Sequence, residues 1–433
     1  MQESTKSVIL VCMVILSLVL SFNLWFSNPS YEESKYLVSE KIQFTPPRAL
    51  ADIILPEKIV AVSGKGRFNI FYPEQVLYEE AVKKLKEDGD QGLTAFQEVT
   101  EEEWLQAIKK PGLLFYYDYP CSIKSVELWE QDKAKKIFLP LGEKEIWLVN
   151  PEGGYFMGFL EKGFLSTLFE SYFSSGREYD YCILEGDDLP ADYNVTIAGE
   201  IYLSERETTM MVLPGEKEKL DDERLVKILF ADVSKVRRFE EKDGAIIYTD
   251  GSRGVRFYPY GAMEYTMASY IGKILTGDEA LKTAGELISL YGGWPPNLYF
   301  WADRCSSPGQ LFFRSYYNGL PLLSSDGCLN LTLTQRGAYS YYRRLIIPSS
   351  VPSFQGKIIS GKEAVAGAVA YLADKGEPEQ GIRLKDLYKG YYLLDGLEEG
   401  MELWPTWVVE VDGAGALVMN AFNGKIFQFI DFE

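Results

Sequence analysis

The chain has 433 residues, 46% of them hydrophobic and 25% charged, which is globular composition with length for two or three cores. A net charge of −19 argues against nucleic-acid binding and against polybasic attachment to anionic lipid. There is no histidine, which excludes Ser-His-Asp and Cys-His catalysis, His-ligated zinc and histidine pH switching; carboxylate-only chemistry such as glycoside hydrolysis stays open.

In chain order, the first element is the uncharged run Val8–Phe26, mostly branched aliphatics ending in Trp25 and Phe26. About 20 apolar helical residues cross a bilayer, and tryptophan favours its interface. A cleaved signal peptide fits poorly: only Lys6 is basic, the run is long, and Ser21 to Trp25 offers no small-x-small site. A lipoprotein signal at Cys12 lacks a small residue before the cysteine, because Val11 stands there. The expectation is an uncleaved signal anchor with residues 1–7 cytoplasmic and the rest outside, since Lys6 precedes the span while Glu32 and Glu33 follow it. Such a protein has no cytoplasmic domain, so anything it tells the interior passes laterally through another membrane protein.

Residues 27–50 read as an extended linker, from Asn28-Pro29-Ser30 to Pro46-Pro47. An N-terminal ectodomain follows over 51–190. Its strands carry Ile59, Val60, Val62, Phe68, Ile70 and Phe71. A helix is expected from Pro73 to Gly89, and a second from Thr100, whose spacing to Glu103 fits a capping box. Aromatic strands at 113–117, 137–141, 146–149 and 155–160 are separated by turn residues, as in antiparallel hairpins. A short helix, 165–173, precedes a strand at 179–184.

A middle α+β domain is expected over 191–270, with strands at 195–203 and 208–213. A helix opens at Asp221-Asp222-Glu223, and a hairpin turns on Asp250-Gly251-Ser252-Arg253. The C-terminal part, 271–433, reads as a diverged repeat, 276–346 and 360–433. Thr276-Gly277-Asp278-Glu279 and Ser360-Gly361-Lys362-Glu363 both look like capping boxes opening an amphipathic helix. Each copy then runs into an antiparallel sheet with an Asn-Gly turn, at Asn318-Gly319 and Asn423-Gly424.

Motifs with chemistry are weak. Gly356 to Glu363 approximates a phosphate loop, but Glu363 stands where a hydroxyl is needed. Asp412-Gly413-Ala414-Gly415 reads as a hairpin turn. The carboxylate runs Glu101 to Glu103 and Asp221 to Glu223 lie at expected helix starts, and Asp187-Asp188 lies in a loop. Trp294, Tyr299, Phe300, Trp301 and Trp404-Pro405-Thr406-Trp407 are candidates for a glycan face, although strand aromatics are mostly core. Asn194 and Asn330 head glycosylation sequons. Cys12 falls in the span. Cys121, Cys182, Cys305 and Cys328 would lie outside, where four thiols allow three disulfide connectivities or none, and their spacing does not suit zinc.

Four stretches carry a resemblance. Asn23-Leu24-Trp25 followed by Pro29, and Ile54 to Val60, resemble the start of the YycH family. Ile247 to Arg253 resembles its middle part. Leu403 to Trp407 through Asn420 to Gly424 is similar to the terminal segment shared by YycH and its companion YycI, itself similar to PepSY-type units. The order of these stretches spans the chain. The resemblance implies a membrane-anchored regulator of the WalK (YycG) sensor histidine kinase of low-GC Gram-positive bacteria, paired with YycI and acting through transmembrane and exterior contacts. It supplies no catalytic residue, cofactor or metal. The span is the segment it marks as functional, and within it Ser17, Ser21 and Asn23 are the small and polar residues suited to facing a partner helix; tolerated lipid- or interface-facing positions are the plain alternative.

The expected architecture is α+β: an N-terminal transmembrane helix and a three-part, mostly antiparallel ectodomain ending in two helix-then-sheet units. The expected function is non-enzymatic regulation of the WalRK (YycFG) system in cell-wall homeostasis. The alternatives are an anchored cell-wall glycan hydrolase or glycan-binding protein, which needs two facing carboxylates in a cleft, and a wall-protein chaperone, which needs a peptide groove or open sheet edge.

Overall fold

The computed structural model describes residues 43–89, 96–122, 133–160, 179–269, 272–302, 309–325, 327–375, 381–396 and 400–431, with positions 13, 14, 16, 17, 169, 172 and 173. Phe44–Glu433 form one compact unit, and Met1–Gln43 a second. In the second, the four described positions are helical and exposed. The rest of Val8–Phe26 lies outside the described residues, as do Ser21, Asn23 and residues 27–42. No helix among the described residues is long and apolar enough to cross a membrane.

Among the described residues the large unit has the helices α1 (Leu50–Ile53), α2 (Val76–Gly89), α3 (Glu101–Ala107), α4 (Asp222–Leu229), α5 (Gly277–Leu290) and α6 (Gly361–Asp374); of the helix expected over 165–173, positions 169, 172 and 173 are helical and the rest lies outside the described residues. Eight strands precede residue 190: β1 (Lys58–Val62), β2 (Phe68–Phe71), β3 (Gln97–Val99), β4 (Gly112–Ser122), β5 (Lys133–Pro140), β6 (Glu145–Val149), β7 (Tyr155–Phe159) and β8 (Tyr181–Ile183). Then come β9 (Val195–Ile197), β10 (Tyr202–Ser204), β11 (Thr209–Lys217), β12 (Arg237–Glu240), β13 (Ile246–Thr249), β14 (Arg253–Phe257), β15 (Met263–Met267), β16 (Leu298–Phe300), β17 (Gln310–Tyr317) and β18 (Leu320–Leu323). The last are β19 (Leu329–Thr334), β20 (Gly337–Arg343), β21 (Ile346–Pro348), β22 (Phe354–Lys357), β23 (Ile382–Gly396), β24 (Gly400–Val411), β25 (Gly415–Asn420) and β26 (Ile426–Asp431).

The first sheet has nine strands in the order β10-β8-β2-β1-β4-β5-β6-β7-β3, all antiparallel. Its inner strand β1 is buried along its whole length, because both faces are covered. Val60, Val62, Leu114 and Phe138 meet α3 through Trp104 and Ala107. Ile59, Ala61, Phe115 and Ile137 point the other way, into a core shared with α2 and α5. This alternation is the period of two expected of a strand with two apolar faces.

The other seventeen strands form a branched second system. One branch is the antiparallel run β12-β13-β14-β15-β20-β19-β17-β16, on which α4 and α5 pack. The other centres on the long hairpin β23–β24, extended by β25 and β26, with β9 and β18 running parallel to β23. Helix α6 presents Ala364, Val365, Ala368, Val369 and Leu372 to one face of this sheet, an i, i+4 stripe of small and branched side chains. The α+β, mostly antiparallel expectation therefore describes the fold, with two parallel pairings added.

Several local expectations change. The run 195–203 is two strands: β9 joins β23, while β10 joins the first sheet. Ala198 to Ile201 cross from one sheet to the other, and Glu200 is held midway. Helix α2 starts at Val76 and not at Pro73. Tyr72-Pro73-Glu74-Gln75 forms a turn closed by Gln75 N–H to Tyr72 O, with Glu74 at φ +72°, and the Glu74 carboxylate accepts the Asn318 N–H at 2.9 Å. Asn318-Gly319 is the tight turn expected, both residues at positive φ, whereas Asn423-Gly424 lies in a longer loop with only Gly424 at positive φ. Trp404 to Trp407 lie inside β24. Residues 44–49 are docked: Arg48 donates to the Leu298 and Pro295 carbonyls and stacks on Trp294.

Capping boxes form at Thr100/Glu103 and Ser360/Glu363, as their spacing predicts. At Thr276 none forms, because Gly277 adopts φ +61° and turns the chain away from the cap geometry. Ser360→Ala should therefore cost about 1 kcal/mol, and Thr276→Ala less than about 0.5 kcal/mol, in denaturant unfolding of the full chain. Equal losses at the two positions would contradict this assignment of the caps.

Candidate functional site

The most unusual side chains are charged ones buried where the sheets meet. Lys58 opens β1 and is 5% exposed, and its ammonium pairs with Asp386 of β23, itself 6% exposed. The same ammonium lies 5.5 Å from the Tyr116 ring centre and 5.8 Å from that of Tyr202. A bulge at Lys385 between Leu384 and Asp386 shifts the β23–β24 register, so that Asp386 stands directly opposite Glu410. Bulges commonly re-aim a side chain in this way. Glu410 is fully buried, accepts the Tyr388 hydroxyl at 2.8 Å, and has Lys385 Nζ at 3.8 Å. Arg314 of β17 donates to the Tyr388 hydroxyl and to Glu57, both at 3.3 Å, and lies over the Trp301, Tyr316 and Tyr388 rings.

Lys58, Arg314 and Lys385 thus balance Glu57, Asp386 and Glu410 within one seam. Burial opposes charge on Lys58, but Asp386 and Glu57 outweigh it, so its ammonium is held well above the ordinary lysine range. Burial likewise opposes charge on Arg314, and Tyr316, Tyr388 and Glu57 reverse the effect. Burial and Glu410 push the Tyr388 phenol up. The cavity bordering this seam, lined by Glu57, Asp118, Arg314 and Tyr316, is about 20 Å³. That is room for one water, not for an organic ligand. Asp386 and Glu410 are two facing carboxylates, but both are buried and each lies beside a lysine ammonium, Lys58 and Lys385 respectively.

A second cluster ties the sheet crossover to the first sheet. Glu200 accepts the Tyr116 hydroxyl and pairs with Lys136 at 3.0 Å, and Tyr116 and Tyr202 share a hydrogen bond at 2.7 Å. Burial alone would raise the Glu200 carboxyl, but Lys136 and Tyr116 overcome it and hold it below the ordinary range.

Matches to known proteins agree with this layout. The family model described as YycH protein, N-terminal domain, matches residues 3–135, and that described as YycH protein, C-terminal domain, matches residues 198–423. The chain belongs to the YycH family. The buried network joins the two YycH segments, because Glu57 and Lys58 lie in the first and Arg314, Asp386, Tyr388 and Glu410 in the second. The crystal structure of YycH from Bacillus subtilis superposes with a TM-score of 0.60 at 14% identity, covering 90% of this chain and 98% of that one, which shows a shared fold. An uncharacterized protein from Eubacterium rectale ATCC 33656 (TM-score 0.35, 12% identity, 57% and 93% coverage) and the Bacillus megaterium YpeB C-terminal domain (TM-score 0.28, 10% identity, 51% and 100% coverage) are too distant to bear on the fold. No curated protein sequence matches the chain.

The residues singled out from sequence are scattered in this YycH fold. Ser17 occupies an exposed helical position; Ser21 and Asn23 lie outside the described residues. Glu103 and Asp221 cap helices, and Asp188 pairs with Lys362. The loop before α6 is occupied by its own Ser360 cap. Trp294 and Trp301 are core. Cys182 carries a free thiol, and Cys328 is buried with its sulfur 3.5 Å from Leu322 O. The side chains of Cys121 and Cys305 lie outside the described residues. Among the described residues no group of three or more Cys, Asp and Glu is placed to hold a metal. The charged network itself escaped the sequence reading. Its clearest signal is Glu410, which follows the apolar run Trp407-Val408-Val409; β23 carries Arg383 and Lys389 beside Lys385-Asp386, so its charges do not stand out.

Lys58→Met would leave Asp386 buried without its cation and should cost about 3–5 kcal/mol, while Lys58→Met with Asp386→Leu should recover most of that loss; unfolding curves of the three chains test it. For Glu200 the sign follows from its lowered value. Its contribution is complete above the unfolded glutamate pKa, about 4.3, and is lost as pH falls through the folded value. Melting temperatures from pH 7 to pH 3 should therefore show the native chain's advantage over Glu200→Gln shrinking below about pH 4.3, and an advantage that grows in acid would contradict the assignment.

Proposed function

We propose that this chain is a non-enzymatic, membrane-anchored regulator of the WalRK (YycFG) two-component system. It acts on the sensor kinase WalK together with YycI, through transmembrane and extracellular contacts. The observation that carries the reading is membership of the YycH family over both the N-terminal and the C-terminal segments. The sequence adds a physical reason. Val8–Phe26 is an uncharged run of the length that spans a bilayer. Influence on the kinase runs from helix to helix and from one exterior surface to another. Ser17, Ser21 and Asn23 are the positions at which the span meets its partner helix.

The test is association in a bacterial membrane. The full chain is co-expressed with WalK and YycI of the same organism, beside a version whose residues 1–27 are replaced by an unrelated anchor. The native chain should bring down both proteins, and the exchanged anchor should weaken kinase capture. If neither form retains either protein, the regulatory reading is wrong and wall glycans become the ligands to screen.

A further inference from the structure

One exposed apolar surface is too well built to be incidental. Ile347, Val351 and Phe354 are 56%, 69% and 55% exposed and lie within eight residues of chain, on β21, the following loop and β22. The loop is pinned at both ends to β11: Ser349 N–H donates to Pro214 O at 2.8 Å, and Ser353 N–H to Val212 O at 2.9 Å. The Ser349 hydroxyl accepts the Val351 N–H, which fixes Val351 at the tip. Phe354 stands edge-to-face on Phe422 at 5.3 Å, and Phe422 on Trp404 at 6.3 Å. Glu402 ties this stack to the loop, accepting from Trp404 Nε1 at 2.9 Å and from the Ser353 hydroxyl at 3.2 Å. Gly356 keeps the rings in place, since a Cβ there would come within 3.0 Å of both Phe354 and Phe422. An apolar surface held rigid in this way loses little entropy on binding.

The rim decides the occupant. Glu216 stands opposite Ile347 across β11–β21, Glu402 lies under the loop, and Glu207 pairs with Lys357 at the far end of β22. Three carboxylates against one ammonium leave the rim acidic, on a chain of net charge −19. A second copy would bring the same acidic rim, and anionic lipid would also be repelled.

We propose that the surface formed by Ile347, Val351, Phe354, Phe422 and Trp404 docks the exterior part of a different protein, one with an apolar centre ringed by lysine and arginine. The proposal rests on the regulatory reading above, which supplies the partners to test. The full chain is co-expressed with WalK and YycI and purified from detergent in three forms: unaltered, Val351→Glu with Phe354→Glu, and Val76→Glu. Val76 is 75% exposed on α2 and serves as the control. The double variant should lose capture of one partner by about tenfold or more, the control should capture normally, and salt on the order of 0.5 M should weaken the native complex. A photo-crosslinker at Val351 should label that same partner. Normal capture by the double variant, or labelling of only a second copy of this chain, overturns the surface and leaves the regulatory reading standing. If the unaltered chain captures neither protein, the regulatory reading itself has failed and the docking proposal falls with it. Because the altered side chains are solvent-exposed, equal melting temperatures for all three forms identify a loss of capture as a loss of contact.

Discussion

The pairing of Lys58 with Asp386 sets the conditions for the rest of the unit. A lone ammonium or carboxylate taken out of water costs several kcal/mol, and attraction between the two repays that only with good geometry and further hydrogen bonds. Here the extra partners are present. Asp386 faces Glu410 across the ladder, Glu410 takes Tyr388, Tyr388 takes Arg314, and Arg314 returns to Glu57, the neighbour of Lys58. Removing one member would leave a charge buried without its counterpart. The sheets are therefore held in one register, since sliding either by a residue would separate every pair at once.

An apolar seam of the same area would give comparable or greater stability, but it would specify position less sharply. Apolar side chains tolerate small shifts, whereas an ion pair with hydrogen bonds on both partners does not. The polar seam fits a molecule in which β1, near the start of the compact unit, must be fixed relative to sheets formed several hundred residues later. The docked stretch 44–49, with Arg48 stacked on Trp294 and bonded to the carbonyls after α5, extends the same logic to the beginning of the compact unit.

What could be read from the sequence was whatever depends on near neighbours. Thr100 with Glu103 and Ser360 with Glu363 are local chemistry, and so is the Asn318-Gly319 turn; each needs only a few residues to specify it. Thr276 misled because the same spacing is overridden by the backbone of Gly277. The run 195–203 looked like one strand because nothing local reveals that its halves belong to different sheets. Asp386 and Glu410 lie 24 positions apart, and they face one another only through a bulge at Lys385 and a long hairpin, so no window of sequence contains their relationship. Lys58 is more distant still. The apolar surface around Phe354 was hidden for a further reason: pattern shows which residues are apolar, not which of them the fold leaves uncovered, and Trp404 reads as core until Phe422 and Phe354 are seen beside it.

A protein that acts on another in trans can shift the other's equilibrium only by its differential affinity for the two states. That requirement falls on the shape and charge of the contact, not on motion within the regulator. Under the regulation proposed above, a body locked by buried ion pairs and presenting a pinned apolar surface at a fixed place would meet it directly: whichever conformation of the partner matched that spacing would be the one favoured. A flexible regulator would spend part of its binding energy ordering itself and would discriminate less between partner states. On this argument the buried network and the exposed stack serve one end. The network sets where the surface stands relative to the start of the compact unit, and the proposed contact would turn that placement into selectivity.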